Sequence, residues 1–168
     1  MIIINKRNLF FLISVWLLST LLSAQNVTIS TPQTQLLLSV PNGGTPEQLY
    51  YGSRTSDADI RSICETACRR NAYPVYGMGY PCETALSVRH ADGNLTLQMV
   101  VIGVKETRLT KENATLTVIE LKDKVYPFFV NICYKAWQDA DVIETWTEIR
   151  HEEKKPVQLQ QFASAYLP

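Results

Sequence analysis

Hydrophobic and polar positions alternate with a period of two along most of this chain, most plainly in its last third, from Asp123 onward. Between Phe128 and Trp137, the residues Phe128, Val130, Ile132 and Tyr134 fall on one side, and Phe129, Asn131, Cys133, Lys135 and Trp137 on the other. A two-residue repeat rich in β-branched and aromatic types predicts a strand. Val142 to His151 repeats it, with Ile143, Thr145, Thr147 and Ile149 opposite a set that mixes Val142 and Trp146 with Glu144, Glu148 and Arg150. One face is therefore expected in a core and the other partly wet. A third run, Val157 to Ala165, sets Val157, Leu159, Ala163 and Ala165 against Gln158, Gln160 and Ser164. The polar joints at 138–141 and 152–156 are short, as antiparallel neighbours require. The expectation is a β-meander of three long strands.

The earlier chain follows the same period with one interruption. Asn26 to Thr31 and Thr34 to Val40 read as short strands parted by Pro32, with Val27, Ile29, Leu36, Leu38 and Val40 on one face. Pro41-Asn-Gly-Gly44 signals a turn into Gln48 to Tyr51. Ser56-Asp-Ala-Asp59 has the form of a capping box, and Ile60, Ile63, Cys64, Ala67 and Cys68 then recur at helical spacing. One short helix near residues 57–69 is predicted. Residues 71–82 hold three tyrosines, two prolines and two glycines, a composition that forbids a regular element and offers aromatic surface to bury or display. Strands resume from Thr84, and Ala91-Asp-Gly-Asn94 predicts a hairpin into Leu95 to Thr107, with Gly103 a candidate bulge. Thr110 to Asn113 turns into a further strand over Thr115 to Leu121.

The first 24 residues differ from the rest. Lys6 and Arg7 precede the apolar run Leu9 to Leu22, and Leu22-Ser-Ala24 resembles a cleavage site. The run is shorter than the roughly 20 apolar residues of a membrane span, so it reads as an export signal, with a periplasmic or extracellular destination and no membrane association after cleavage. Without Lys6 and Arg7, the 16 basic residues become 14 against 16 acidic ones, a net charge of about −2. No basic stripe exists, which excludes nucleic acid as a partner. A hydrophobic share of 46% against 19% charged excludes a disordered chain.

Candidate chemistry is sparse. Four cysteines, Cys64, Cys68, Cys82 and Cys133, are too few for a disulfide scaffold. Cys64 and Cys68 share a helical face, but His90 and His151 stand at no zinc-finger spacing, so neither metal nor cofactor is expected. Neither histidine has a serine or cysteine nucleophile nearby in sequence, and both read as polar residues at strand ends. Asp139, Asp141, Glu144 and Glu148 read as solvated charges beside Lys135 and Arg150, and Trp137 and Trp146 as sheet-packing aromatics. The sequons at Asn26, Asn94 and Asn113 are equally what turns and strands favour.

The order of segments resembles the N-terminal β-sandwich of glycoside hydrolase family 36, the α-galactosidases. The residues that carry the resemblance are Leu49-Tyr-Tyr-Gly52, Tyr73-Pro-Val-Tyr-Gly77, His90-Ala-Asp-Gly-Asn94 with the alternating residues after it, and Asp141-Val-Ile-Glu-Thr-Trp-Thr-Glu-Ile149. Lys155-Pro-Val157 through Ala163-Ser-Ala-Tyr-Leu-Pro168 resembles the family's next strand. The set runs in the family's order over nearly all of residues 25–168.

The resemblance implies an all-β fold, an antiparallel β-sandwich of supersandwich type that is incomplete here. In the family a (β/α)₈ barrel follows and supplies both catalytic aspartates of a retaining hydrolysis, a reaction that needs two carboxylates roughly 5 Å apart across the sugar. The expectation is thus a partial, non-catalytic N-terminal domain over residues 25–168, with no catalytic residues of its own. Its α-galactoside partner would be held by the missing catalytic domain, and the full-length enzyme would be a homo-oligomer. In oligomeric members a loop of pattern Gly-Asp-Phe-Arg-Glu-Pro-Ala lends an aromatic and an arginine to a neighbour's sugar site. Here Gly79-Tyr-Pro-Cys-Glu-Thr-Ala85 places Cys82 at the arginine, and a thiol cannot fork to sugar hydroxyls. Tyr76 and Tyr80 stay as candidate carbohydrate contacts, against a reading as loop tyrosines that only pack. The other functional class is a stand-alone carbohydrate-binding or adhesion sandwich.

Overall fold

The structure, a computed structural model, describes residues 25–167. The segment read as an export signal lies outside the described residues. The strands are β1 (Gln25–Ser30), β2 (Thr34–Val40), β3 (Glu47–Ser53), β4 (Arg70–Asn71), β5 (Leu86–Arg89), β6 (Met99–Leu109), β7 (Ala114–Asp123), β8 (Phe128–Trp137), β9 (Val142–His151) and β10 (Gln158–Phe162). A helix α1 (Asp57–Thr66) stands between β3 and β4. Two four-stranded antiparallel sheets, ordered β1-β2-β3-β4 and β6-β7-β8-β9, face each other, and β10 and β5 form a two-stranded antiparallel sheet beside them. This is the all-β architecture that the alternating pattern predicts and the sandwich that the resemblance implies.

The core lies between the sheets. Phe128, Val130, Ile132 and Tyr134 point into it from β8 and meet Ile29, Leu36 and Leu38 from the opposing layer. Burying such side chains contributes about 1.5–3 kcal/mol each, so this face specifies the register of the strand. Crosslinks between the layers are polar as well. Gly43 N donates to Val101 O at 2.9 Å, and Val101 N donates to Gly44 O at 2.8 Å. The bulge expected at Gly103 is present as a register shift between Val101 and Gly103.

Strand β2 is buried on both faces, more than its alternation suggests. Leu37, Gln35 and Ser39 are covered along with Leu36, Leu38 and Val40, because the chain after β3 folds back across the outer side. There Gln35 Oε1 accepts from Thr55 N at 2.9 Å, and Ser39 Oγ accepts from Arg69 Nη1 at 3.1 Å. Helix α1 begins as predicted, with Ser56 and Asp59 forming a reciprocal capping box. It stops at Thr66 rather than near residue 69. Ala67 is already extended, and Arg70–Asn71 is drawn into the ladder with β3, while Arg69 reaches Glu47 and Ser39.

Two expected pairings are different in the structure. The run after residue 156 does not continue the meander against β9. Strand β10 crosses to β5, with Leu159 opposite Val88 and Phe162 opposite Leu86, and Leu159, on the apolar side of its run, is exposed. Likewise the turn at residues 91–94 forms, with Gly93 at φ +92° and its N–H donating to His90 O. The strands on either side of that turn then part, β5 to β10 and β6 to β7. A two-residue period identifies faces, and the partner of a strand is chosen by tertiary packing.

The segment after β10 seals the inner face of β9. Thr147 Oγ1 donates to Ala163 O at 3.1 Å, Thr145 Oγ1 to Ser164 O at 3.4 Å, and Tyr73 Oη to Ala163 O at 3.3 Å. Ile143 and Ile149 of β9 and Ala163 and Tyr166 of that segment pack against the same core.

Candidate functional site

The loop of residues 71–85 divides sharply. Ala72, Tyr73 and Val75 are buried, and Val75 bridges to Leu86, so the stem of the loop belongs to the core. Its tip is displayed, with Tyr76 48% and Met78 43% exposed. Tyr76 N donates to Leu86 O and Leu97 N donates to Tyr76 O, at 2.9 and 3.0 Å, so the backbone beneath the exposed phenol is held on both sides. Tyr80 is placed differently. Its hydroxyl lies 3.0 Å from that of Tyr166, the two rings meeting edge to face with centroids 6.2 Å apart. Close pairing with Tyr80 and partial burial raise the Tyr166 phenol to about 12. Cys82 is exposed and unpaired, as Cys68 is, whereas Cys64 is half-buried and Cys133 buried. The structure therefore brings Tyr80 to the closing segment and leaves Tyr76 outside that contact.

The acidic residues of the β8–β9 region are not uniformly solvated. Asp141, at φ +51°, caps the β1–β2 turn: its carboxylate accepts from Thr31 Oγ1, from Gln33 N at 3.0 Å and from Thr34 N at 3.2 Å. These hydrogen bonds hold its carboxyl below the usual value, that from Thr31 contributing most. Asp139 accepts from Asn113 Nδ2, Glu144 from Trp137 Nε1 at 3.1 Å, and Glu148 from Asn131 Nδ2 at 3.1 Å. Lys135 pairs with Glu112 rather than with these acids and lies 4.0 Å above the Trp137 ring. Trp146 Nε1 donates to Glu148 at 3.3 Å. The carboxylates thus act as acceptors for neighbouring donors along the sheet, with Asp141 as the latch between the two layers.

His90 is the residue whose setting the sequence hides. It follows β5, as a strand-end residue should, but it is only 2% exposed. Its ring stacks on Tyr126 with centroids 3.7 Å apart and meets Phe128 edge on. Nδ1 lies 2.7 Å from Glu153 Oε1, and the other carboxylate oxygen of Glu153 accepts from Ala91 N at 2.9 Å. Nε2 is buried without a hydrogen-bond partner. Asp123, also buried, accepts from Gln98 N at 2.6 Å and from Val125 and Tyr126 N–H groups, which turns the chain into β8. His151, by contrast, is exposed opposite Phe128. Among the described residues no three His, Cys, Asp or Glu side chains gather where they could hold a metal ion.

A family model described as the glycosyl hydrolase family 36 N-terminal domain matches residues 44–168. The α-galactosidase of Lactobacillus brevis superposes with a TM-score of 0.72 at 14% identity, over 84% of this chain and 23% of that one. A GH36 α-galactosidase variant of Geobacillus stearothermophilus, in complex with 1-deoxygalactonojirimycin, gives 0.75 at 13% identity over 83% and 24%. The galactosidase domain of the α-galactosidase–sucrose kinase AgaSK gives 0.68 at 18% identity over 82% and 24%. The chain spans about a quarter of the length of these proteins. No curated protein matches it.

Proposed function

Since the chain belongs to the glycosyl hydrolase family 36 N-terminal domain family, we propose that it is the non-catalytic sandwich of an exported α-galactosidase acting on terminal α-galactosides of oligosaccharides. The observation that carries this reading is the family match across residues 44–168, in a chain whose fold follows that of α-galactosidases over more than four fifths of its length. In such an enzyme the sandwich packs against a catalytic domain and takes part in assembling subunits, and the displayed loop at Tyr76 to Cys82 contacts sugar. Tyr76 is the better placed of the two candidate tyrosines, because Tyr80 already spends its hydroxyl on Tyr166.

The chain does not itself carry out the hydrolysis. A retaining mechanism needs one carboxylate free to attack and another free to protonate, facing each other across a sugar. Asp141 is committed to the β1–β2 turn, and Glu144 and Glu148 to indole and amide donors on an open sheet face. Two measurements test the proposal. Purified chain is expected to release no chromophore from a chromogenic α-galactoside, and turnover above background would overturn the non-catalytic assignment. Reading the nucleotide sequence past the Pro168 codon is expected to show barrel-encoding sequence, in frame or displaced. Unrelated flanking genes would overturn the α-galactosidase assignment.

A further inference from the structure

The turns at residues 91–94 and 152–155 come together beside His90 and leave an open groove of about 440 Å³ between them. Its floor is Tyr126 and Pro127, and Asp92, Glu152, Lys154 and Lys155 stand around the rim. Tyr126 is immobilised from three directions. One ring face lies on the buried His90 imidazole at 3.7 Å and 9°. Its hydroxyl donates to Asp92 Oδ2 at 2.7 Å and accepts from Asn94 Nδ2 at 3.0 Å. Its backbone N–H is taken by Asp123 at 2.8 Å. Behind it, His90 is fixed in turn by Glu153.

This ring differs from the other aromatics of the β6–β9 sheet. Phe129 lies 4.1 Å beneath the Arg150 guanidinium and Trp137 lies 4.0 Å beneath the Lys135 ammonium, so their exposed faces are occupied. Tyr126 borders the groove, and no cation or second ring covers it on that side among the described residues. Lys154 and Lys155 carry no hydrogen-bond or ion-pair partner among the described residues. The rim holds both signs of charge, which disfavours an anionic ligand, and Tyr126 and Pro127 make the floor apolar.

We propose that this groove binds a neutral hexopyranose unit of an oligosaccharide. A pyranose has an apolar C–H face that rests on an aromatic ring, and a circumference of hydroxyls that both donate and accept. Tyr126 supplies the platform, Asp92 the acceptor and the two lysine ammonium groups the donors. Each carboxylate oxygen of Asp92 accepts one hydrogen bond internally, from Asn94 N and from Tyr126, and retains a second lone pair. The volume suits a small-molecule site, and the fixed ring loses little freedom on binding. The inference rests on the groove alone and stands apart from the α-galactosidase assignment, so either can fail without the other.

The test is an amide-resolved NMR titration of the full 168-residue chain with raffinose, cellotriose and, as a control, trialanine. Binding of either sugar in the millimolar range, with shifts centred on residues 91–94 and 152–155 and none from trialanine, is the expected result. Exchange of both rim lysines for alanine (Lys154→Ala with Lys155→Ala), which touches only exposed side chains, should weaken that binding about tenfold. Tyr126→Phe should weaken it too, since the ring then loses its tether to Asp92. Tyr126→Ala serves only if it folds, and the lysine exchange decides the matter if it does not. Absence of shifts with both sugars, shifts centred on Tyr76 and Tyr80, equal shifts from trialanine, or affinity unaltered by the lysine exchange would each overturn the proposal.

Discussion

The carboxylate of Asp141 accepts the hydroxyl hydrogen of Thr31, 110 positions earlier in the chain, and so ties the β8–β9 turn of one sheet to the β1–β2 turn of the other. Three carboxyls are held below their ordinary value by local donors, chiefly Thr31 for Asp141, Ser56 for Asp59 and Tyr126 for Asp92. A carboxyl depressed in the folded state contributes stability that is complete above the ordinary value of 3.8 and is lost as pH falls through the lower folded value. Melting temperature should therefore be level near neutrality and decline below about pH 4. Asp141→Asn keeps an acceptor and a residue type that tolerates positive φ, so it should flatten part of that acid decline at modest loss. Asp141→Ala should lower the melting temperature further at every pH. A decline of the same steepness in Asp141→Asn would show that the latch contributes nothing to it.

The two faces of β8 should respond unequally. Phe128 is 0% exposed in the central cluster, and Phe128→Ala should cost about 3–5 kcal/mol in denaturant unfolding. Phe129, half-buried under Arg150, loses only a partly wet contact, and Phe129→Ala should cost less than half as much. Equal losses would mean that the outer face is covered in solution.

That contrast was legible from sequence, as were the capping box at Ser56 and the bulge at Gly103, because each depends on residues a few positions apart. The β5–β10 pairing was not. Alternation at Leu86 to Arg89 and at Gln158 to Phe162 says which way side chains point, yet any two amphipathic strands satisfy it equally. The burial of His90 and the latch at Asp141 were hidden for the same reason. Their neighbours in sequence mark a strand end and a polar turn, while the partners that bury or bind them, Glu153 and Thr31, lie far along the chain. Of the candidate sugar contacts, the loop's composition left burial and display open for both tyrosines; the structure exposes Tyr76 and engages Tyr80 with Tyr166, which nothing local announces.

Thiol reactivity should separate the four cysteines. Burial, reinforced by the nearby charge of Glu148, pushes the Cys133 thiol up to about 11. With a chromogenic disulfide reagent at about pH 8, Cys64, Cys68 and Cys82 should react in the native protein and Cys133 only after unfolding. Reaction of all four at similar rates would contradict the burial of β8.

Glycine at 77 should be harder to replace than glycine at 93. Both have positive φ, +100° and +92°, so alanine at either pays backbone strain of about 1–2 kcal/mol. A Cβ at Gly93 meets open space, whereas at Gly77 it would stand 2.6 Å from Thr96 Cγ2 and 2.8 Å from Thr96 Cα. Gly77→Ala should therefore unfold at clearly lower denaturant concentration than Gly93→Ala, with changed amide shifts at Tyr76 and Leu97. Equal midpoints would show that the loop yields freely.

The pairing of β10 with β5 also sets an order of assembly. Strands β6 to β9 meet only their neighbours in sequence, and β1 to β3 do the same, so each meander closes short loops and can form early. Strand β5 has only the isolated bridge to Val75 in its own neighbourhood and gains a strand partner when residues 158–162 arrive. In refolding, both meanders can collapse before the segment that seals β9 joins them. The interval between those events is when Ile143, Ile149 and the edge of β5 are open to a chaperone or to another chain.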